Sequence, residues 1–410
     1  MRRNYSIVAV IFLTFFVISF LSNIIGPIVP DIIEDFELSL TLVAILPFAF
    51  FIAYGVMSVP SGLLIEKYGE KPIMISAFIV ASFGSIILAL FPSYITAIIS
   101  LFFIGSGMAM LQVAINPLLR ETGGEEHFAI NATVAQLIFG VASFLSPLVY
   151  SYLVQHIHKG SYDSNILIAM LSSIVPENLT WISLYWLFSV ISLLMVVIIY
   201  FSKVPAVELA TDEQGGSFGN HIKLFKEPIV ILFFFGIFTY VGLEQGVANW
   251  ISEFLHKYHD YDPQITGAKT VSWFWGLMTI GGILGVILLK FLDSKVVLII
   301  FTLGAMVSLG MALYLPGSVS LIAFPLVGFF SAVMYPIIFS LALNSLSKHH
   351  GTFSGILVTG IFGGAVVPLI VGVLGDIFGL RNGMHFLFIP LLYILSIGFW
   401  AKPLISNKTY

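Results

Sequence analysis

Residues 228–254 read PIVILFFFGIFTYVGLEQGVANWISEF, a segment that is apolar over most of its length. Its only charged side chain between Glu227 and Glu253 is Glu244. A helix needs about 20 apolar residues to cross a bilayer, and a helix satisfies its own backbone hydrogen bonds in lipid. The stretch therefore predicts a transmembrane helix that carries one acid inside it.

The rest of the chain has the same character. Of 410 residues, 59% are hydrophobic and 9% are charged, and the mean hydropathy is +1.04, which excludes an ordinary soluble domain. A net charge of -4 offers no basic surface for nucleic acid, and the absence of cysteine excludes disulfides and thiolate metal sites. We predict an all-α protein embedded in the lipid bilayer.

Uncharged segments divide the chain into twelve predicted spans. Their approximate ranges are 5–29, 40–64, 73–91, 95–118, 129–155, 180–202, 228–252, 266–290, 296–314, 319–343, 352–375 and 385–401. With the N-terminus in the cytoplasm, 13 of the 17 Lys and Arg residues fall inside and 4 outside. This bias predicts that both termini are cytoplasmic. We expect a multi-pass protein of the cell (inner) membrane that is a monomer.

The two halves of the chain repeat each other. Five small residues recur at an offset of 223 positions: Gly62, Gly105, Ala109, Gly140 and Ala142 correspond to Gly285, Gly328, Ala332, Gly363 and Ala365. This offset predicts two pseudo-symmetric six-helix bundles, at 1–202 and 228–410, joined by a polar cytoplasmic linker at 203–227.

The loop after the second predicted span reads GLLIEKYGEK, residues 62–71, and resembles the cytoplasmic loop motif of the major facilitator superfamily. The resemblance implies the major facilitator fold. It also implies conformational gating by Gly62, Glu66, Gly69 and Lys71, with Gly62 allowing close helix approach and the charged groups forming pairs that break on switching. A turn with ordinary inside-positive charges is the alternative interpretation.

Five further segments resemble the fucose, glucose and galactose cation symporter family within that superfamily. They are MLQVAINPLL (110–119), YVGLE (240–244), FWG (274–276), YPIIFSLAL (335–343) and GGAVVPLIVGVLGD (363–376). Gly26 and Gln112 stand where the fucose-type members have Asp and Glu. The pattern is therefore more similar to the glucose and galactose branch. The resemblance implies import of a monosaccharide by alternating access, coupled to H⁺ or Na⁺.

Glu244 is the residue that we predict to couple cation movement to sugar movement. It lies about four residues past the middle of its span, at a depth where a bare carboxylate costs at least ~2.5 kcal/mol. Such a group needs a polar cavity, a cation or a hydrogen-bonding partner. No other ionisable group is predicted at this depth in any span. A structural, hydrogen-bonded acid is the alternative.

Polar and aromatic side chains on several spans complete the predicted substrate site. Amides pair with vicinal hydroxyls, and aromatic faces stack on a pyranose ring. The predicted substrate-binding residues are Asn23, Gln112, Asn116, Gln136, Tyr240, Gln245, Asn249 and Trp275. For each amide the alternative is interhelical bonding, and for each tryptophan it is the interfacial belt, which is the favoured interpretation of Trp250.

Other motifs contribute little. HKYH, residues 256–259, is interpreted as a solvated outer loop rather than a metal site, and no cofactor or catalytic metal is predicted. The chain contains no nucleophile-and-base pattern, so we do not expect an enzyme. The alternatives left open are an exporter or uniporter of another metabolite or drug and, from a different class, a non-transporting sensor or an intramembrane enzyme.

Overall fold

The computed structural model describes residues 4–124, 127–158, 166–205, 224–346 and 350–404. Within these ranges twelve helical segments are long and apolar enough to cross a membrane, which confirms the predicted number of spans. The chain divides into two compact units, one made of Met1–Val207 with Tyr261–Ser272 and the other of Glu208–Asp260 with Trp273–Tyr410. We call them unit 1 and unit 2.

Unit 1 contains the first eight helices and the beginning of span eight. Its helices are α1 (Tyr5–Ser22), α2 (Ile25–Phe36), α3 (Leu40–Tyr68), α4 (Glu70–Leu90), α5 (Tyr94–Gly123), α6 (Phe128–His156), α7 (Ile166–Ile174) and α8 (Ser183–Phe201). Helix α7 occupies the predicted outer loop and was not expected as a helix. A π-helical turn at Pro263–Gly267 begins span eight within this unit.

Unit 2 contains most of the second half of the chain. Its helices are α9 (Pro228–Ala248), α10 (Ile251–His259), α11 (Ala268–Leu288), α12 (Ser294–Tyr314), α13 (Gly317–Ser331), α14 (Met334–Leu343), α15 (His350–Thr359), α16 (Gly363–Phe378), α17 (Leu380–Met384) and α18 (Phe388–Trp400). Helix α11 begins in unit 1 and continues in unit 2 from Trp273.

Span one is longer than predicted, and this is a correction. The predicted end was residue 29, whereas the helical segment continues to Phe36. The chain breaks at Asn23 and Ile24 and then resumes as α2. Pro27 has no backbone N–H with which to bond the Asn23 carbonyl, which accounts for a break at this point. Other span ends differ from the predictions by a few residues.

Span seven has a similar break at Asn249 and Trp250, between α9 and α10. Asn249 lies 226 positions after Asn23. In each case an asparagine ends the first helix of its half of the chain. The break in span one lies inside its membrane segment, whereas the break in span seven directly follows the segment, which ends at Ala248. Non-helical backbone at membrane depth is tolerated only where it is buried in protein or lines a water-filled cavity.

One helix crossing recurs in both units. A Cβ atom placed on Gly105 would lie 2.3 Å from the Phe50 carbonyl oxygen, and a Cβ on Gly328 would lie 2.3 Å from the Phe274 carbonyl oxygen. Only glycine permits such close backbone approach. Since these glycines are the predicted repeat partners, the contact supports the predicted pseudo-symmetry.

The predicted bundle boundaries stay a prediction. Residues 206–223, which form most of the predicted linker at 203–227, lie outside the described residues. Among the basic residues used to orient the chain, Arg2, Arg3, Lys159, Lys223, Lys348 and Lys408 also lie outside them.

Candidate functional site

Glu244 lies in α9 in unit 2 and is half-buried. The Tyr240 hydroxyl, one helical turn earlier, donates a hydrogen bond to its carboxylate. The Gln245 amide donates to Glu244 Oε1 at 3.2 Å. Tyr240 and Gln245 are both buried. Tyr240, Glu244 and Gln245, three of the predicted site residues, thus form one hydrogen-bonded group.

Tyr335 belongs to the same group and was not among the predicted site residues. Its ring centroid lies 5.7 Å from that of Tyr240, and it lies close enough to Glu244 for the two groups to interact electrostatically. Tyr335 begins α14 together with Met334, after a third helix break at Ala332 and Val333. The YPIIFSLAL motif contained the signal, because a tyrosine next to proline in an apolar span is unusual.

Two predicted site residues in unit 2 carry buried hydrogen-bond donors that have no partner among the described residues. They are the Asn249 Nδ2 atom, at the helix break in span seven, and the Trp275 Nε1 atom in α11. Their side chains are 4% and 5% exposed. Leaving a buried donor unsatisfied costs about 1–3 kcal/mol. A polar ligand that accepts from these donors would recover that free energy.

The predicted amides of unit 1 are in different environments. Asn23 is buried, and its Nδ2 atom donates to Ser143 Oγ in α6 at 2.8 Å. Ser143 in turn bonds Ser19. This network joins α1 to α6, which is the interhelical alternative for Asn23. The structure therefore supplies Asn23 with a structural partner.

Span four presents its two predicted amides more openly. Gln112 is half-buried and Asn116 is exposed, and the Asn116 Nδ2 atom donates to the Gln112 backbone carbonyl at 3.1 Å. Gln136 in α6 is also exposed. These side chains lie in unit 1, whereas Glu244 and its partners lie in unit 2.

The predicted gating loop differs from expectation in two respects. A Cβ on Gly62 would meet nothing within 4 Å, so this glycine makes no close helix contact in the structure. Lys71 Nζ donates to the carbonyls of Tyr200 and Ser202, at 2.9 and 2.8 Å. Lys71 therefore caps the C-terminal end of α8, where a cation is favoured, instead of pairing with an acid as expected.

The remaining residues of that loop have simpler roles in the structure. Glu66 is exposed. Gly69 ends α3 with φ +81°, a conformation that glycine adopts without strain. The turn itself, one of the two interpretations of the loop, accounts for Gly69.

Glu244 is not the only acid in a membrane-spanning segment, because span one continues past its predicted end and includes Asp31. Asp31 in α2 is 8% exposed and accepts hydrogen bonds from Tyr150 and Gln264. It was missed because span one was predicted to end at residue 29.

Trp250 differs from its favoured interpretation as an interfacial belt residue. Its side chain is 1% exposed, and its Nε1 atom donates to the Pro368 carbonyl at 3.4 Å. Trp250 is therefore buried in the packing between helices and does not belong to the interfacial belt.

HKYH lies in helix α10 rather than in a loop, which corrects that expectation. His259 shares a hydrogen bond with Ser320 Oγ at 3.3 Å. Burial and the nearby Arg381 guanidinium hold the pKa of His259 below its usual range. Burial raises the pKa of Glu253 in the same helix. Among the described residues, no group of three or more metal-ligating side chains occurs.

Comparison with known proteins agrees with this architecture. The sequence pattern of the Major Facilitator Superfamily matches residues 11–368. A glucose/galactose transporter of Brucella abortus is 28% identical over 419 residues, covering 100% of this chain and 96% of that protein. The L-fucose-proton symporter of Escherichia coli is 26% identical over 391 residues, covering 89% and 86%.

A solved structure of the same fold is the inward-facing bacterial homologue of the human lysosomal transporter Spinster. It is similar with a TM-score of 0.81 at 15% identity and covers 98% of both chains. At this identity the likeness concerns the fold alone. The superfamily consists of membrane transporters, so the intramembrane enzyme is set aside. With a match across most of its length and twelve membrane-spanning helices, this multi-pass membrane protein belongs to the major facilitator superfamily.

Proposed function

We propose that the protein imports a monosaccharide of the glucose, galactose or fucose type by alternating access. The observation that carries the proposal is that two predicted site residues, Asn249 and Trp275, hold unsatisfied buried donors in the unit that contains Glu244. Sugar hydroxyls accept hydrogen bonds from such donors. A tryptophan additionally offers a flat apolar face to a pyranose ring.

The relatives support the sugar class. Both are named for monosaccharides, and both are similar to this chain along nearly all of its length. Gln112, Asn116 and Gln136 are proposed as further sugar ligands because each is at least partly accessible. Asn23 is proposed to act mainly through the helix break that it caps.

We propose that Glu244 couples this transport to a cation. Its carboxylate is held by two donors from its own helix, Tyr240 and Gln245. Both can re-orient when the charge changes, because a hydroxyl rotates and an amide offers an acceptor as well as donors. A proton is the favoured cation, since one relative is named as a proton symporter. Na⁺ is the alternative.

We further propose that the protein is a monomer in the cell (inner) membrane with both termini in the cytoplasm. The support for the orientation is the bias of basic residues toward one side of the predicted spans. Gating at the cytoplasmic end is proposed to involve Gly62, Glu66, Gly69 and Lys71. For Lys71, the proposed step is release of the α8 carbonyls that it caps.

Counterflow in proteoliposomes tests the function directly. Purified protein is reconstituted in vesicles loaded with one unlabelled sugar, and uptake of the labelled sugar is followed with no ion gradient. We expect counterflow for at least one of glucose, galactose and fucose. Absence of counterflow for a full panel of hexoses would contradict the proposal and favour a superfamily exporter or uniporter of another metabolite.

Uphill uptake then separates the coupled transporter from a uniporter. An inward proton gradient and an inward Na⁺ gradient are imposed in separate experiments on the same vesicles. Accumulation above the outside concentration with a proton gradient alone is the expected result. Accumulation with a Na⁺ gradient alone would make Na⁺ the coupling cation. If neither gradient drives accumulation, the protein is a uniporter.

A further inference from the structure

A buried carboxylate joins three elements at the far end of span one. Asp31 in α2 accepts a hydrogen bond on Oδ2 from the Tyr150 hydroxyl of α6. On Oδ1 it accepts from the Gln264 side-chain amide at 3.0 Å. Gln264 lies in the π-helical turn that begins span eight, and all three residues belong to unit 1. Asp31 therefore ties the start of span eight to span one.

The charged groups that act on this site from the described residues are acids. Glu34 and Asp35 lie on the same helix as Asp31, and Asp262 begins the turn that carries Gln264. Asp35 is itself bonded to Trp181 Nε1 at 2.5 Å. Acidic surroundings repel further negative charge and concentrate protons near the site.

The hydrogen bonds of Asp31 depend on its charge. An ionised carboxylate only accepts, so it suits two donors at once. Such charge-assisted bonds are roughly twice as strong as neutral ones. A protonated carboxyl has one oxygen that must donate, so it satisfies the two donors less well and with weaker bonds. Protonation thus loosens the connection between Asp31 and Gln264.

We propose that Asp31 is a proton-binding site whose ionised form holds the start of span eight to span one and whose protonated form releases it. The inference rests on the proposed proton coupling and on the proposed orientation, which places this end of span one outside the cell. A proton arriving from an acidic exterior then frees the outer end of span eight. The site is separate from Glu244, which lies in unit 2.

The absence of cysteine from the chain allows a clean reporter. Thr270 follows Gln264 in span eight, is 4% exposed, and its hydroxyl donates to the Thr266 carbonyl of its own helix. A Thr270→Cys variant is labelled from outside with a membrane-impermeant thiol reagent, without sugar and without an ion gradient. The rate of labelling measures how often span eight separates from its neighbours.

The Asp31→Asn variant is made in the reporter background, because asparagine is permanently neutral. At alkaline pH we expect it to label about tenfold faster than the reporter alone, as expected for loss of one charge-assisted bond. At acidic pH the two rates should converge, since Asp31 is then protonated in the reporter. The ratio of the two rates cancels the pH dependence of the thiol itself.

Two further variants keep the test decisive. Gln264→Leu removes the donor on span eight from a partly exposed position, and it should match Asp31→Asn. Asp35→Asn is the matched control, because it removes a neighbouring charge from the same helix without touching the Asp31–Gln264 bond. We expect Asp35→Asn to keep a pH-dependent labelling rate, with the change displaced toward lower pH because one neighbouring negative charge is gone.

Wild-type labelling rates in both Asp31→Asn and Gln264→Leu, at every pH, would overturn the proposal. A labelling rate that depends on Na⁺ and not on pH would overturn the assignment of a proton. Since labelling requires no sugar, the test stands apart from the proposed function. Failure of counterflow in the wild-type protein would contradict sugar import. The labelling rates of the Asp31→Asn and Gln264→Leu variants would still test the Asp31 proposal independently.

Discussion

The Tyr240 hydroxyl donates to the carboxylate of Glu244, which lies one helical turn further along α9. This pair sits just before a helix break, and the break places Asn249 with its unsatisfied donor one turn beyond. The acid and the free donor therefore lie in consecutive turns of one span. Any change in the hydrogen bonding of the acid is close to the proposed sugar contacts.

Removal of the unsatisfied donors should weaken sugar binding without leaving an unpaired donor in the sugar-free protein. In Trp275→Phe and Asn249→Ala, no buried donor is left unpaired, so the free energy of unfolding of the sugar-free protein should not fall on that account. Sugar affinity should fall by about 1–3 kcal/mol in each variant. The measurement is thermal unfolding in detergent with and without sugar. A less stable sugar-free protein with an unchanged sugar-induced shift would make these residues structural.

The repeated glycine contact predicts equal sensitivity in the two units. Gly105→Ala and Gly328→Ala each place a methyl group 2.3 Å from a carbonyl oxygen. We expect each to lower the free energy of unfolding by about 1–3 kcal/mol, as overpacking does. The matched controls are Gly62→Ala and Gly310→Ala, whose added Cβ atoms meet nothing within 4 Å. Thermal unfolding compares the four variants, and equal stability of all of them would contradict the contact.

Lys71 should contribute to stability through the end of α8. Lys71→Met keeps the length of the side chain and removes its ammonium group, leaving the Tyr200 and Ser202 carbonyls without this donor. We expect a loss of about 1 kcal/mol in the free energy of unfolding and an altered rate of counterflow, because the contact that is proposed to be released on switching is gone. Normal stability together with an unchanged rate of counterflow would contradict both the helix cap and the proposed switching step.

The stability of unit 2 should respond to the protonation of His259. Because its pKa is lowered from 6.5 on folding, the unfolded chain binds more protons near that pH. The contribution of His259 is therefore present above the unfolded pKa and is lost as the pH falls. Its removal in His259→Gln should flatten the decline in unfolding temperature toward acid pH.

Glu253 acts in the opposite sense, since its pKa is raised from 4.5. Its contribution is present at acid pH and is lost as the pH rises through the folded-state value. In Glu253→Gln, the unfolding temperature should therefore still decline toward acid pH because of His259, and the loss of stability caused by Glu253 as the pH rises should disappear. An identical pH profile in His259→Gln and the wild-type protein would contradict the assignment to His259.

The number of spans, the repeat and the acid in span seven were predictable because each depends on local sequence. Long uncharged runs mark the spans, recurrent small residues mark the repeat, and Glu244 is a single charge within one such run. The sequence did not predict that span one continues through Asp31. In the sequence, Asp31 and the acids after it resemble a polar loop. Only the structure shows that Tyr150 and Gln264, which are distant in the chain, donate hydrogen bonds to Asp31.

The polar residues of the candidate site illustrate the same limit. Asn23 and Asn249 are alike in sequence and both end a helix, yet Asn23 donates to Ser143 whereas the Nδ2 atom of Asn249 has no partner among the described residues. Which amide binds a neighbour depends on the packing of other spans. Tyr335 stands in a motif that the sequence displays, but its position beside Tyr240 depends on the fold.

Glu244 is proposed to couple cation movement to sugar movement, and the Glu244→Gln variant tests this role. Glutamine keeps the size of the side chain and an acceptor for Tyr240 but removes the titrating group. Counterflow and gradient-driven uptake are measured on the same proteoliposomes. We predict that the variant retains counterflow, which needs no net cation movement, and fails to accumulate sugar above the outside concentration. Uphill accumulation by Glu244→Gln would contradict coupling by Glu244, and joint loss of counterflow and sugar binding would make Glu244 a sugar ligand instead.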